Sequence, residues 1–212
     1  MYLFQDVSDN LERKNLQLVG VTSMFIASKY EEMYAPEIGD FVYITDQAYT
    51  EYQIREMETK ILGTLGFNLG RPLPLHFLRR NSKAGNVDAL IHTLAKYAME
   101  VTLVEYSMVH VKPSMLAAAA LALSLKVLDQ EDKPIRELWS QTLVHYTSYS
   151  FDMIAECIEK MATLVLRNSN ADPQKDKLMS VRRKYDDKKM SKIARLQQLT
   201  GQTMEQLARG EF

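Results

Sequence analysis

The chain contains one helical pattern twice, at a constant offset of 97 residues. The offset aligns residues 49–54 with residues 146–151, and it aligns Lys29 with Lys126. A register kept over tens of residues predicts two structurally equivalent units. The repeat also allows a comparison within one sequence. Where the two copies share a residue type, packing explains it, and where one copy alone carries a charge, another requirement is indicated.

The composition is that of a globular chain with enough apolar residues for two small cores. Of 212 residues, 46% are hydrophobic and 25% are charged. Cys157 is the single cysteine, which excludes an intramolecular disulfide and favours a reducing compartment. No apolar stretch reaches transmembrane length, and the first residues lack the pattern of a secretory signal. We therefore predict a location in the cytoplasm and nucleus.

Hydrophobic periodicity predicts an all-α fold, since few stretches alternate with period two. The residues from Leu16 to Ala27 are almost continuously apolar, which is typical of a helix buried on most sides. Thr50 and Gln53 form a capping box, so a helix is expected to begin at Thr50 and its counterpart at Thr147. Further helices are predicted at residues 40–46, 75–83, 87–106, 113–128 and 135–146.

Three segments follow from this layout: a first bundle at residues 1–72, a second bundle at residues 73–170, and a basic, partly helical tail at residues 171–212. Subtracting 97 from the two opening helices of the second bundle places about 25 residues before Met1. The first bundle is therefore expected to be incomplete, with an uncovered face on its central helix. The tail holds nine Lys or Arg and three Asp between Lys175 and Arg195. It is predicted to be solvated and weakly packed, with an amphipathic helix around Leu196.

The two copies differ most at Glu58, which lies within the apolar stripe of its helix, whereas the aligned residue is Ala155. A carboxylate on an apolar face needs a partner, and Lys29 is the nearest candidate in the geometry of the repeat. Two interpretations stay open at this point. The pair is either a structural ion pair or a contact for another protein.

Acidic and apolar residues gather beside this pair. Glu31 and Glu32 end the central helix, where the helix dipole disfavours acids, and their counterparts are Leu128 and Asp129. A mixed polar and apolar patch of this kind favours protein docking over catalysis. We call the whole set the docking edge: Lys29, Tyr30, Glu31, Glu32, Glu58, Leu62, Phe67 and Leu69.

The sequence gives little support for catalysis or for a cofactor. The four histidines are scattered, and no pair has the i, i+4 spacing of a helical metal site. Cys157 has no obvious basic neighbour, which is typical of an inert core thiol. A glycine-rich phosphate loop is not found. We predict a protein that is not an enzyme and that uses no cofactor or metal.

Several motifs resemble the cyclin family, from about Asn15 to about Arg167. Residues 16–20 and 27–33 (LQLVG and ASKYEEM) look like the third helix of a first cyclin box, and residues 36–46 and 53–58 continue the match. Residues 71–80 and 82–85 (RPLPLHFLRR and SKAG) are similar to B-type, G2/mitotic cyclins rather than to A-type cyclins.

The resemblance implies two tandem cyclin boxes and a heterodimer with a mitotic cyclin-dependent kinase. It implies that Lys29 and Glu58 are polar anchors for the regulatory helix of the kinase, and that the rest of the docking edge supplies further contacts. The sequence departs from the family pattern at its N-terminus, so we expect the opening helix with the family's substrate-docking patch and the upstream degradation signal to be absent. Two alternatives stay open: a nucleic-acid-associated factor with cyclin-like bundles and a basic tail, and an inactive remnant.

Overall fold

The computed structural model describes residues 13–70, 72–172, 176 and 179–212, and all regular structure within these ranges is helical. The all-α prediction is therefore confirmed. The α-helices are α1 Leu16–Glu31, α2 Ile38–Ile44, α3 Glu51–Thr64, α4 Pro74–Ala84, α5 Ala89–Thr102, α6 Pro113–Val127, α7 Ile135–Leu138, α8 Gln141–Thr147, α9 Phe151–Asn170, α10 Ser180–Tyr185 and α11 Gln202–Ala208. The chain divides into a first unit, Met1–Arg71, and a second unit, Pro72–Phe212.

In the first unit, α1 packs against α2 and α3. Two small apolar clusters hold these helices together, one around Phe25, Phe41 and Ile54 and the other around Ile26 and Ile61. The rings of Phe25 and Phe41 meet edge to face, with centroids 5.1 Å apart. The predicted capping box is confirmed, because the Thr50 hydroxyl accepts from the amide of Gln53 and the Gln53 side chain accepts from the amide of Thr50.

One face of α1 is exposed. Leu16 and Met24 are each about half exposed, and a Cβ added at Gly20 would meet no atom within 4 Å. On α6, the residues aligned with Gly20 and Met24 are Ala117 and Leu121, and both are 0% exposed. The repeated helices thus share a register but not a degree of coverage.

The second unit has the larger core, which is built around α6. Helices α4, α5 and α9 pack against α6, and most of its residues are fully buried. A run of alanines at residues 117–120 allows these neighbours to approach closely, since each contributes only a methyl group.

The prediction of a solvated, weakly packed tail is wrong. The side chains of Tyr185, Ile193, Leu199, Met204 and Leu207 are no more than 1% exposed and belong to the core of the second unit. The prediction of an amphipathic helix around Leu196 is also wrong, because this part of the chain forms short 3-10 turns at Ile193–Arg195 and Gln197–Thr200, before α11. The apolar residues decide this packing, while the charged residues between them stay at the surface.

Helix boundaries also differ from the predictions, most of all between residues 135 and 151. Thr147 ends α8 instead of beginning a helix, and α9 starts after Ser150. Ser148 takes a left-handed conformation with φ of 62°, which reverses the chain before α9. The predicted helix at residues 135–146 is two helices, α7 and α8, because Ser140 begins a new cap.

Candidate partner-docking edge

The centre of the docking edge is an ion pair between two helices of the first unit. Lys29 lies in the last turn of α1, and Glu58 lies on α3. The Lys29 ammonium donates to Oε1 of Glu58. The Glu58 side chain is only 15% exposed, while that of Lys29 is 42% exposed. The sequence therefore predicted this pair correctly, although the pair alone does not reveal its purpose.

Lys29 has a second neighbour that the sequence analysis missed. Its ammonium lies 4.2 Å from the centroid of the Phe25 ring, which is a cation–π contact one turn back along α1. The i, i+4 spacing of Phe25 and Lys29 is the signal that could have revealed it. Glu58 and the ring together hold the ammonium in place, and they line a shallow groove with Pro36 and Ile38.

Neither charge of the pair is fully used by this chain. Within the described ranges, Glu58 accepts no hydrogen bond other than the one from Lys29, and Lys29 donates none other than that one. An ammonium has three donors and a carboxylate has about four acceptor sites. Both groups can therefore bind a main-chain carbonyl or amide from outside.

The aligned lysine of the second unit has a different environment. Lys126 donates to Oδ1 of Asp132 at 2.5 Å and to the main-chain carbonyl of Lys133 at 2.9 Å. Its side chain is 13% exposed, and the position aligned with Glu58 is Ala155. The second unit thus uses its lysine to close its own loop, whereas the first unit leaves the corresponding group at the surface.

The end of α3 places Phe67 beside Leu62. Gly66 has φ of 53°, its amide donates to the carbonyl of Gly63, and the amide of Phe67 donates to the carbonyl of Leu62 at 3.0 Å. These two bonds form a Schellman motif, which ends helices with a left-handed residue. Phe67 also lies in the left-handed region, with φ of 58°, and its side chain is 72% exposed.

A large apolar residue in this conformation is unusual. The left-handed region costs a residue with a Cβ about 1–2 kcal/mol, and the exposed ring gains little from burial within this chain. Residues in such conformations cluster at functional sites, which makes Phe67 a candidate for a contact with another molecule.

The other apolar members of the docking edge differ in exposure. Leu62 and Leu69 are half-buried and pack against the cluster of Val19, Ile26 and Ile61. Tyr30 is 56% exposed, and its hydroxyl lies 3.1 Å from the position that a Cβ on Gly70 would occupy. Gly70 was not identified from the sequence. Its missing side chain leaves room for the Tyr30 hydroxyl.

Glu31 and Glu32 lie where the sequence predicted them, at the C-terminal end of α1. Both are exposed, and neither carboxylate makes a hydrogen bond or ion pair within the part of the chain that the structure describes. Two acids at the negative end of a helix are unfavourable for the helix itself. They are available for polar contacts at the rim of the docking edge.

The structure offers no catalytic arrangement among the residues that it describes. No group of three or more His, Cys, Asp or Glu side chains there could hold a metal ion. Burial raises the pKa of the Cys157 thiol to about 11, so the thiol stays neutral and weakly nucleophilic near neutral pH. None of the described helices is long and apolar enough to cross a membrane.

Comparison with known proteins agrees with this architecture. The family model for the cyclin C-terminal domain matches residues 72–199, and the model for the cyclin N-terminal domain matches residues 3–70. The chain is 56% identical to a G2/mitotic-specific cyclin-B of Patella vulgata over 189 residues, which are 89% of this chain and 44% of that protein.

Two other relatives give similar values. The identity is 54% to a G2/mitotic-specific cyclin-B of Spisula solidissima, over 92% of this chain and 43% of that protein. It is 52% to a G2/mitotic-specific cyclin-B2 of Gallus gallus, over 95% of this chain and 48% of that protein. The chain spans less than half the length of these curated relatives.

Proposed function

Because this chain belongs to the cyclin family, we propose that it is a regulatory subunit that binds and activates a mitotic cyclin-dependent kinase at the G2/M transition. The partner is a protein kinase of the mitotic class, held in a heterodimer, and the contact is the docking edge of the first unit. The role is regulatory, so the kinase performs the chemistry.

The observation that carries this proposal is the different use of Lys29 and Lys126. Both lysines occupy the same position of the repeat, yet only Lys126 is enclosed by hydrogen bonds to its own loop. Lys29 keeps free donors and Glu58 keeps free acceptor sites, on adjacent helices. Such a pair suits the carbonyl and amide groups of a partner helix end, where charge-assisted hydrogen bonds are strong.

The apolar part of the docking edge supplies the affinity in this proposal. Phe67 and Tyr30 are exposed aromatic residues, and Leu62 and Leu69 lie half-buried beneath them. Aromatic residues at the centre of an interface often contribute most of its binding energy. Glu31 and Glu32 add polar contacts at the rim.

Activation follows from differential affinity. If the docking edge fits the kinase better in its active conformation, binding shifts the population toward that conformation. In that state a helix glutamate pairs with the lysine of the ATP site, and the activation loop is open. The shift is limited by the difference between the two affinities.

The composition of the basic segment favours a nucleic-acid function, but the contacts of its arginines support that function less. Arg182 donates to the carbonyls of Asn168 and Ala171, and Arg195 is paired with Asp186. These cations serve the fold of the second unit. The buried thiol of Cys157 is compatible with our proposal of a location in the cytoplasm and nucleus.

Co-purification with a mitotic cyclin-dependent kinase, followed by a histone kinase assay, tests the proposal. Glu58→Ala and Lys29→Ala are each expected to weaken kinase capture and activation by about tenfold or more, because a buried partner group loses its charged hydrogen bond. Glu56→Ala and Lys60→Ala, on the opposite side of α3, are matched controls and should leave capture unchanged.

Circular dichroism separates docking from a structural role. If Glu58→Ala and Lys29→Ala reduce helicity and thermal stability as much as they reduce capture, the pair is structural and the proposal fails at this site. If the parent chain neither captures nor activates the kinase, the proposed function itself is wrong. Duplex binding that falls steeply with salt would instead support the nucleic-acid alternative.

A further inference from the structure

The lysines left over from the basic segment surround one exposed serine. Lys184 is paired with Glu100, and Arg195 with Asp186, whereas Lys188, Lys189 and Lys192 make no ion pair within the described ranges. All three lysines are exposed, and Ser191 lies among them, also exposed. The kinase-docking edge lies in the other unit and does not account for this group.

The turn that carries Ser191 is well defined. Asp187 accepts the amide of Lys189 through Oδ1 at 2.7 Å, and its carbonyl accepts the amides of Met190 and Lys192. Ser191 has φ of 54° and Lys192 has φ of 51°, so two consecutive residues with side chains are left-handed. The buried side chain of Ile193 anchors the turn on one side. The Ser191 hydroxyl makes no hydrogen bond within the described residues.

We propose that Ser191 is a phosphorylation site for a protein serine/threonine kinase that selects basic residues before the target hydroxyl. Lys188 and Lys189 stand three and two residues before Ser191, at the spacing that acidic subsites of such a kinase contact. The Ser191 oxygen bonds to the γ-phosphorus of ATP while the bond to the β,γ-bridging oxygen breaks. ADP leaves, and the hydroxyl proton passes to a carboxylate of the modifying kinase.

A second serine has the same spacing but a different environment. Ser82 follows Arg79 and Arg80 at the same two positions, yet it is only 8% exposed, and its hydroxyl is hydrogen-bonded to Nδ1 of His92 at 2.8 Å. The sequence pattern alone selects both serines. The tertiary structure leaves only Ser191 accessible to an enzyme.

Phosphorylation would change the charge of the turn. The turn holds three lysines and one aspartate, and a phosphate adds a charge of about −1.5 to −2. The modified turn is therefore close to neutral, with the phosphate oxygens within reach of lysines on both sides. A cationic surface of the second unit is removed without any change in its core.

The test uses the purified 212-residue chain, ATP and the catalytic subunit of a basophilic serine/threonine kinase. A single phosphate on Ser191, located by peptide mass spectrometry, is expected. Ser191→Asn removes the hydroxyl but tolerates the left-handed conformation, and it should abolish incorporation; Ser191→Gly is a second variant of the same kind. Lys188→Ala and Lys189→Ala should each lower kcat/KM by about tenfold, while Lys83→Ala should not.

Three results would overturn the proposal: no incorporation into the folded chain, incorporation at another residue, or unchanged kcat/KM in both lysine variants. A peptide of residues 185–195 that is phosphorylated when the whole chain is not would show that the turn excludes the enzyme. Thermal melting of each variant verifies that the second unit is folded. The result is independent of whether the first unit binds a cyclin-dependent kinase.

Discussion

Replacing Phe67 with glycine separates a docking role from a structural role, because the two properties should respond differently. The ring is 72% exposed in the free chain, so its complete burial in a complex would contribute about 1–2 kcal/mol of the 1.5–3 kcal/mol available to a phenylalanine. Phe67→Gly is therefore expected to weaken kinase binding by about 5- to 30-fold.

The stability of the free chain should hardly change. Glycine relieves about 1–2 kcal/mol of left-handed strain at φ of 58°, but it loses about 0.5–1 kcal/mol through the greater entropy of the unfolded chain. The loss of the small buried part of the ring offsets most of the net stabilisation that remains from these two effects. Thermal unfolding should give a midpoint close to that of the parent chain.

Titration calorimetry with the purified kinase measures the binding change, and Tyr106→Ala is the matched control. Tyr106 is an aromatic residue with 83% exposure in the second unit, outside the docking edge. If Phe67→Gly and Tyr106→Ala bind the kinase equally well, Phe67 makes no contact. If Phe67→Gly melts several degrees below the parent, the residue stabilises the fold and the reasoning is refuted.

Three further predictions concern stability. Leu199→Ala should lower the free energy of unfolding of the second unit, measured in urea, by about 2–5 kcal/mol, because Leu199 is 0% exposed. The control Gln198→Ala, at an exposed position, should change it little. Equal effects of the two variants would mean that the C-terminal segment is not part of the core. Thr50→Ala should destabilise the first unit by about 1 kcal/mol, because α3 loses its N-terminal cap. The control Thr59→Ala, in the middle of α3, should not destabilise it. If Thr50→Ala leaves the stability unchanged, the capping box does not stabilise the helix. Burial and neighbouring positive charges lower the pKa of His92 in the folded chain. The unfolded chain therefore binds more protons, and stability is lost as the pH falls through about 6.5. His92→Gln should flatten that loss in urea titrations from about pH 7.5 to 5.5, and an unchanged dependence of stability on pH would refute the prediction.

The comparison of the two repeats predicted the Lys29–Glu58 ion pair from the sequence. Glu58 interrupts an apolar stripe at a position where the second copy has Ala155, and a charge on such a stripe requires a partner nearby. The helical layout could also be predicted from the sequence, because the hydrophobic periodicity of α1 and α6 is a local property. The neighbours of Lys29 were harder to predict, because the sequence marks Phe25 as part of an apolar helix but not as a cation–π partner.

The C-terminal segment shows why composition can mislead. Its lysines and arginines predicted a solvated tail, but Tyr185 is fully buried, and its hydroxyl donates to Glu100 at 2.8 Å. The charges dominate the composition, whereas a few apolar side chains determine where the segment lies. These side chains are divided between short α-helices and 3-10 turns, so a search for a single helical period does not find them.

The sequence by itself determined the two tandem units, the all-helical architecture and the pairing of Lys29 with Glu58, because each depends on spacing along the chain. Only the tertiary structure decided which of two aligned lysines stays available, and which of two serines with the same flanking pattern is exposed. Both depend on contacts between separate elements of the fold, such as the hydrogen bond between Ser82 on α4 and His92 on α5. Burial and hydrogen bonding of this kind are properties of the folded chain, and no local pattern encodes them.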